Sequence, residues 1–354
     1  MPFERKIVQD LGEYMNVISE IAGTDCQKPP ILWFRGLDNV RHSLIPSLYR
    51  KKVRADRTQN YTKLHYAEDI RTQHYIAKNY HLLSSEPSSR VEWLEVMQHH
   101  QVNTRVLDWS ESSIHSLIFA VEAFFDAGRF ADKKRMECVP CVWVLNPKKL
   151  NRKIIKYIAQ NEELKKKLLA DLELTFQERE RILNQMNVYA DLTEYAETTE
   201  TSHIDYIFNL SSINDEIFRD RVRLKKLLEK GAVINPYYYL LSRIYSDGYC
   251  LSGRILPPLC VVHPYHSERI KAQKGVFSVF PFYREQEDDQ YLRKYQLNPD
   301  AMDHNSMAQD CLCQIMIKNP QKIVLQLMEN GMNESWLYPE MPIVSSEIEN
   351  HMVV

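Results

Sequence analysis

Apolar Ile7, Val8, Leu11, Tyr14, Met15, Ile18 and Ile21 recur close to every 3.6 residues, which predicts an amphipathic helix over 5–22. Ile31-Leu32-Trp33-Phe34 is a short continuous apolar run, the pattern of a buried strand, and it delivers Arg35-Gly36 at its end. Helical stretches follow over 60–83 and 91–100. Val106-Leu107 forms a second strand-like run that ends in Asp108-Trp109. Ile114, Leu117, Ile118, Val121, Phe124 and Phe125 then keep helical spacing, the clearest helix in the sequence.

The run over 139–145 predicts a strand that stops at Asn146-Pro147, and further strands are expected over 259–263, 276–280 and 313–317. From Arg152 to about Tyr189 the chain is rich in Lys, Glu and Leu and has neither Gly nor Pro, which predicts an inserted, solvated pair of helices packed by a thin leucine face. Segments 227–235 and 327–333 each resemble a helix ended by a glycine, Gly231 and Gly331. Strands and helices interleave along the whole length. The expected fold class is therefore α+β (mixed α/β), a single domain with a central mixed sheet, flanking helices and a helical insertion.

Composition narrows the function classes. Lys and Arg number 45 against 47 Asp and Glu, a formal charge of −2, so the chain as a whole does not attract nucleic acid or acidic membranes. The local stretch RDRVRLKKLLEK over 219–230 keeps a nucleic-acid patch open. No apolar run approaches the ~18–20 residues of a transmembrane helix, and the N-terminus lacks a secretory h-region, so a cytoplasmic protein without membrane contact is expected. Seven cysteines without framework spacing suit reduced thiols. Cys138/Cys141 and Cys311/Cys313 sit in or beside apolar runs as small hydrophobes, and no metal site is expected from them or from His263 and His266. With nine glycines the chain has neither G-x-G-x-x-G nor a P-loop, and G-x-S-x-G and H-E-x-x-H are missing too.

Three segments carry candidate chemistry. Arg35-Gly36 presents a planar guanidinium fork at a strand end, suited to phosphate or carboxylate, beside a glycine that lets a ligand or another backbone come close. The alternative is an arginine that pairs with a carboxylate to fix the strand. Residues 97–110 crowd Gln98, His99, Thr104, Arg105, Asp108 and Trp109 around a helix-strand-helix junction, where so many polar groups are costly to satisfy without a purpose. Against this, Asp108, Ser110 or Ser112 can cap the next helix, Arg105 can pair with Asp108, and Trp109 can be core. The third segment, 268–280, runs from a basic helix end through Gln273 and Gly275 into an apolar strand, for which a plain helix cap followed by a core strand is the competing reading.

Taken in order, Trp33-Phe34-Arg35-Gly36, Pro46-Ser47-Leu48-Tyr49-Arg50, Gln98-His99 and Thr104-Arg105-Val106-Leu107-Asp108-Trp109-Ser110 closely resemble the bacterial FRG domain, named for its Phe-Arg-Gly motif. Val142 to Pro147, Ile270 to Phe277 and Leu327 to Pro339 extend the resemblance toward the C-terminus. The chain departs from the family pattern at Gln101, where a glycine is common, and at Ser112-Ser113, where Ser-Pro is usual. The resemblance divides the chain into an N-terminal helix (1–30), a first part of the domain (31–151), a helical insertion (152–200), a second part (201–340) and a tail (341–354).

The motif order also loosely resembles that of ADP-ribosyltransferases, in which an Arg or His of the first strand contacts NAD and a later Glu or Gln acts at the ribose. Gln273 would take that last role, since no E-x-E lies near 273–280. The resemblance thus implies a nucleotide-sized pocket with Arg35, His99, Asp108 and Gln273 as catalytic candidates and Gly36, Gln98, Thr104, Arg105, Trp109 and Gly275 binding substrate. NAD is the candidate cofactor or substrate, and the implied activity is a nucleotide-directed transferase or hydrolase in a toxin or phage-defence role. A non-enzymatic binding module, in which these residues form a structural polar network, and a nucleic-acid-binding protein are the alternatives. A single site requires Arg35 and Asp108 to lie close together.

Overall fold

A computed structural model of the chain describes residues 3–23, 30–50, 61–79, 89–125, 138–170, 256–262, 268–283 and 301–332, with isolated positions at 81, 87 and 336 and within 176–184 and 241–251. In chain order the strands are β1 (Glu4–Val8), β2 (Trp33–Leu37), β3 (Val106–Ser110), β4 (Cys141–Leu145), β5 (Cys250–Leu251), β6 (Leu259–Val261), β7 (Gly275–Val279), β8 (Phe282–Tyr283) and β9 (Leu312–Ile317). Short β5 and β8 pair with each other, and the other seven form one sheet in the order β1-β9-β4-β2-β3-β7-β6. β1 runs parallel to β9 and the remaining neighbours are antiparallel, so the sheet is mixed.

The described helices are α1 (Leu11–Ala22), α2 (Ser47–Arg50), α3 (Tyr61–Asn79), α4 (Arg90–His99), α5 (Ser113–Val121), α6 (Pro147–Gln160), α7 (Glu162–Ala170), α8 (Glu268–Ala272) and α9 (Pro320–Glu329). α1, α5 and α9 cover one sheet face with Tyr14, Leu117, Val121 and Ile323. α2, α4 and α6 cover the other with Leu48, Leu94, Met97 and Ile154. Central β4 is buried on both sides, which explains its continuous CVWVL run: Cys141, Trp143 and Leu145 join one core while Val142 and Val144 join the other. The fold is α+β, as the interleaved pattern predicts. Among the described residues no helix is long and apolar enough to cross a membrane.

Two expectations are corrected. The helix expected over 5–22 is an edge strand followed by a shorter helix. Asp10 is the N-cap of α1 and accepts from the Glu13 N–H at 2.9 Å, while Glu13 accepts from the Gln9 N–H at 2.8 Å. That reciprocal cap stops the helix from reaching back over Ile7 and Val8, which instead pair with Met316 and Ile317. Nor is the stretch from 152 solvated throughout. α6 starts at the Asn146 cap with Pro147 in its first turn, and Ile154, Ile155 and Ile158 are buried in the core. The Lys-rich face of α6 masked this apolar stripe. Segments 219–230 and 227–235 lie outside the described residues.

α5 packs unusually close to β2. A Cβ built on Gly36 would stand 2.0 Å from the Ser116 carbonyl oxygen and 2.7 Å from the Ala120 nitrogen, both backbone atoms. Only glycine permits this approach. Gly36→Ala is therefore expected to push α5 off the sheet and to lower stability by ~1–3 kcal/mol or more, measured by urea denaturation.

Candidate functional site

β2 pairs with β4 over five residues and β3 with β7 over five, yet β2 and β3 meet at one register pair, Phe34 with Ser110. Past that pair the two strands separate. A cavity of about 490 Å³ fills the split, within the roughly 300–1,000 Å³ range of small-ligand pockets. Its walls come from both sides of the sheet. Ser47, Gln98 and His99 approach from one side and Ser116 and Phe119 of α5 from the other. β2 supplies Phe34, Arg35 and Gly36; β3 supplies Asp108, Trp109 and Ser110; the α8–β7 segment supplies Arg269, Ile270, Gln273, Gly275 and Phe277. Gln101 and Val102, after α4, complete the rim.

Arg35 and Asp108 meet across the split. Arg35 Nη1 donates to the Asp108 main-chain oxygen at 2.6 Å and stands 3.8 Å from the carboxylate Oδ2. The arginine side chain is 17% exposed and the aspartate 48% exposed, so the cation is held inside while the carboxylate opens outward. Arg35 Nε is buried without a hydrogen-bond partner. Burial pulls the guanidinium pKa down, Asp108 opposes that shift and nearby Arg50 adds to it. Arg50, an exposed residue at the end of α2, has its pKa lowered by partial burial, which Asp108 opposes. Arg35 and Arg269 are the arginines, and Asp108 the carboxylate, among the described lining residues.

Gln98 comes from the last turn of α4 and is held on its oxygen side. Its Oε1 accepts from Thr104 Oγ1 at 2.8 Å and Ser47 Oγ at 3.3 Å, and its Nε2 donates to Asp108 Oδ2 at 3.4 Å. The turn that delivers His99 has glycine-like geometry. Gln101 has φ of +62°, and the Gln101 and Val102 N–H groups return to the Gln98 and Met97 carbonyls at 2.9 Å each, a helix stop that normally uses glycine. A similar turn ends α8, where Lys274 has φ of +49°. The Gln273 carbonyl there accepts from Ser110 Oγ at 2.7 Å, which fixes α8 to β3.

Eight of the ten residues expected at the site line this cavity: Arg35, Gly36, Gln98, His99, Asp108, Trp109, Gln273 and Gly275. Trp109 is chiefly core, 3% exposed, with its indole N–H donating to Ser278 Oγ at 3.0 Å. Thr104 and Arg105 stand behind the wall. Arg105 is fully buried and does not pair with Asp108. Its Nε donates to Glu68 Oε2 at 2.9 Å, its Nη1 to the Phe280 oxygen at 2.8 Å, and its guanidinium lies 4.7 Å from the Phe282 ring centroid. It joins α3 to β3 and to the end of β7. Ser112, and neither Asp108 nor Ser110, caps α5, accepting from the His115 N–H at 3.3 Å.

The sequence does not single out Ser47 or Arg269, although Ser47 lies in the Pro46–Arg50 motif and Arg269 in the 268–280 segment. Ser47 directly follows Pro46 at a helix start, and Arg269 precedes Gln273 by one helical turn. Among the described residues no cysteine lines the cavity. Burial pushes the Cys141 and Cys311 thiols up to about 12 and Cys313 to about 11, which keeps them protonated. No group of His, Cys, Asp and Glu able to hold a metal occurs among the described residues.

Residues 30–127 match the family model of the FRG domain. The match spans β2, β3 and α2 to α5, and hence Arg35, Gln98, His99 and Asp108, while Arg269, Gln273 and Gly275 lie beyond it. No curated protein and no solved structure matches the chain.

Gln101→Gly is expected to raise stability by roughly 0.5–1 kcal/mol, because glycine adopts the left-handed turn without steric cost. A rise in the urea midpoint at unchanged slope would show it. Glu68→Gln, which removes a buried carboxylate that pairs with both Arg105 and Arg90, is expected to cost roughly 3–5 kcal/mol in the same assay.

Proposed function

From a chain that carries an FRG domain, we propose a protein that binds a nucleotide-sized anionic ligand in the split between β2 and β3, with Arg35 as the anchoring charge. The observation that carries this reading is the buried Arg35 guanidinium. Among the described residues both of its contacts go to Asp108, and its Nε faces a buried position without a partner. An anion is the group that uses such a fork. Phe34, Trp109, Phe119 and Phe277 add apolar and aromatic wall suited to a base.

The activity we assign is a nucleotide-directed transferase or hydrolase, with NAD as the first substrate to try. Asp108 is the one carboxylate among the described lining residues, and Gln273 lines the same cavity on the later segment, where the motif order of ADP-ribosyltransferases sets a Glu or Gln. Growth arrest on expression would support a toxin or phage-defence role. A second reading, a binding module whose motif residues mainly hold the fold, draws on Gly36, Thr104 and Arg105, each tied into the packing.

Arg35→Ala separates the two. Loss of one charge-assisted hydrogen bond, worth roughly 1.5–3 kcal/mol, is expected to weaken nucleotide binding about 10- to 100-fold. Folding stability is expected to fall by only about 1–2 kcal/mol, because the stranded Asp108 carboxylate is half exposed and water can solvate it. Calorimetric titration with NAD, nicotinamide release and urea denaturation are read together. A stable variant that has lost binding supports the site. A variant that unfolds readily supports the structural network, and a stable one with unchanged binding removes Arg35 as the anchor.

A further inference from the structure

The hydrogen bonds behind the cavity wall fix which groups face the ligand. Ser47 Oγ accepts from the Thr104 N–H at 3.2 Å, and Thr104 Oγ1 accepts from the Val106 N–H at 3.3 Å. With a backbone donor behind it, the Thr104 hydroxyl turns its proton onto Gln98 Oε1 at 2.8 Å, while the Ser47 hydroxyl has that oxygen at 3.3 Å and the Thr104 carbonyl at 3.4 Å as acceptors. The amide nitrogen of Gln98 is thereby committed to the Asp108 side, where it donates to Oδ2. Arg35 Nη1 approaches that same Oδ2. The two protein donors converge on one carboxylate oxygen, and Oδ1, on a side chain that is 48% exposed and lines the cavity, is left with its acceptor capacity.

We propose that Asp108 reads hydroxyl groups, so that the ligand of the cavity is a ribose-bearing nucleotide whose vicinal hydroxyls donate to Oδ1 while its phosphate faces Arg35. This inference rests on the reading of the cavity as a nucleotide site and narrows it. A carboxylate accepts hydrogen bonds, so it rewards a ligand hydroxyl and repels a second anion at that spot. A cation alone would select for phosphate. The Arg35–Asp108 pair selects for phosphate and diol on one small molecule. Thr104 and Ser47 act through Gln98 as positioning residues, since reversal of the amide would set its oxygen against the Asp108 carboxylate.

The test compares the four ribonucleoside 5′-monophosphates with their 2′,3′-dideoxy counterparts by calorimetric titration of the full chain, with inorganic phosphate as a further probe. At least one ribonucleotide is expected to bind roughly 10- to 100-fold more tightly than its dideoxy form, the range for a hydrogen bond to a charged group. In Asp108→Asn that preference is expected to shrink strongly. The wild-type comparison carries the test whether or not the variant folds. Equal affinity of a ribonucleotide and its dideoxy form would overturn the hydroxyl reading alone and leave an anion site. Absence of binding by every nucleotide at millimolar concentration would overturn this inference together with the nucleotide reading on which it rests.

Discussion

Past the Phe34–Ser110 pair, the facing edges of β2 and β3 carry main-chain groups with no strand to bond, and a buried backbone group left so is costly. Arg35 meets part of that need by donating to the Asp108 carbonyl across the gap. Beyond the Phe34–Ser110 pair a side chain bridges β2 and β3 where a ladder would otherwise run. Because a side chain does this, the strands stand apart far enough to leave a cavity between them. The polar lining follows from the same fact, since a gap in a sheet exposes the ends of groups that pairing would hide.

The surroundings keep the gap open and shaped. Gly36 lets α5 sit against β2, which brings Ser116 and Phe119 into the wall. On the far side Arg105 ties the start of β3 to Glu68 of α3 and to Phe280 at the end of β7. Ser110 then fixes the end of α8 through the Gln273 carbonyl. Each of these contacts belongs to the fold, yet their joint effect is to set the position of Arg35, Asp108, Gln98 and Gln273. Within a dozen residues the roles divide: Thr104 and Arg105 support the wall from behind, whereas Gln98 and Asp108 face the cavity.

Much of this was legible in the sequence, for identifiable reasons. The helix from Ser113 and the strand ending at Asn146-Pro147 follow from strong periodicity and from cap residues with a direct mechanism. The crowding of polar side chains over 98–108 marked the site because such groups need partners wherever they are buried. Two things stayed hidden. Ile7 and Val8 suit a strand as well as a helix, and only the parallel partner β9, some three hundred residues later, decides between them. The role of Arg105 was equally invisible, since Glu68 lies in a helix whose weak apolar pattern gave no sign of a buried carboxylate.

The split is the central claim, and hydrogen–deuterium exchange of the full chain with and without a saturating nucleotide tests it most directly. The account predicts slower exchange, on ligand addition, in peptides covering 33–37, 98–104, 106–110 and 273–277, four of the stretches that wall the cavity. Protection confined to other parts of the chain, with these four unchanged, would contradict it.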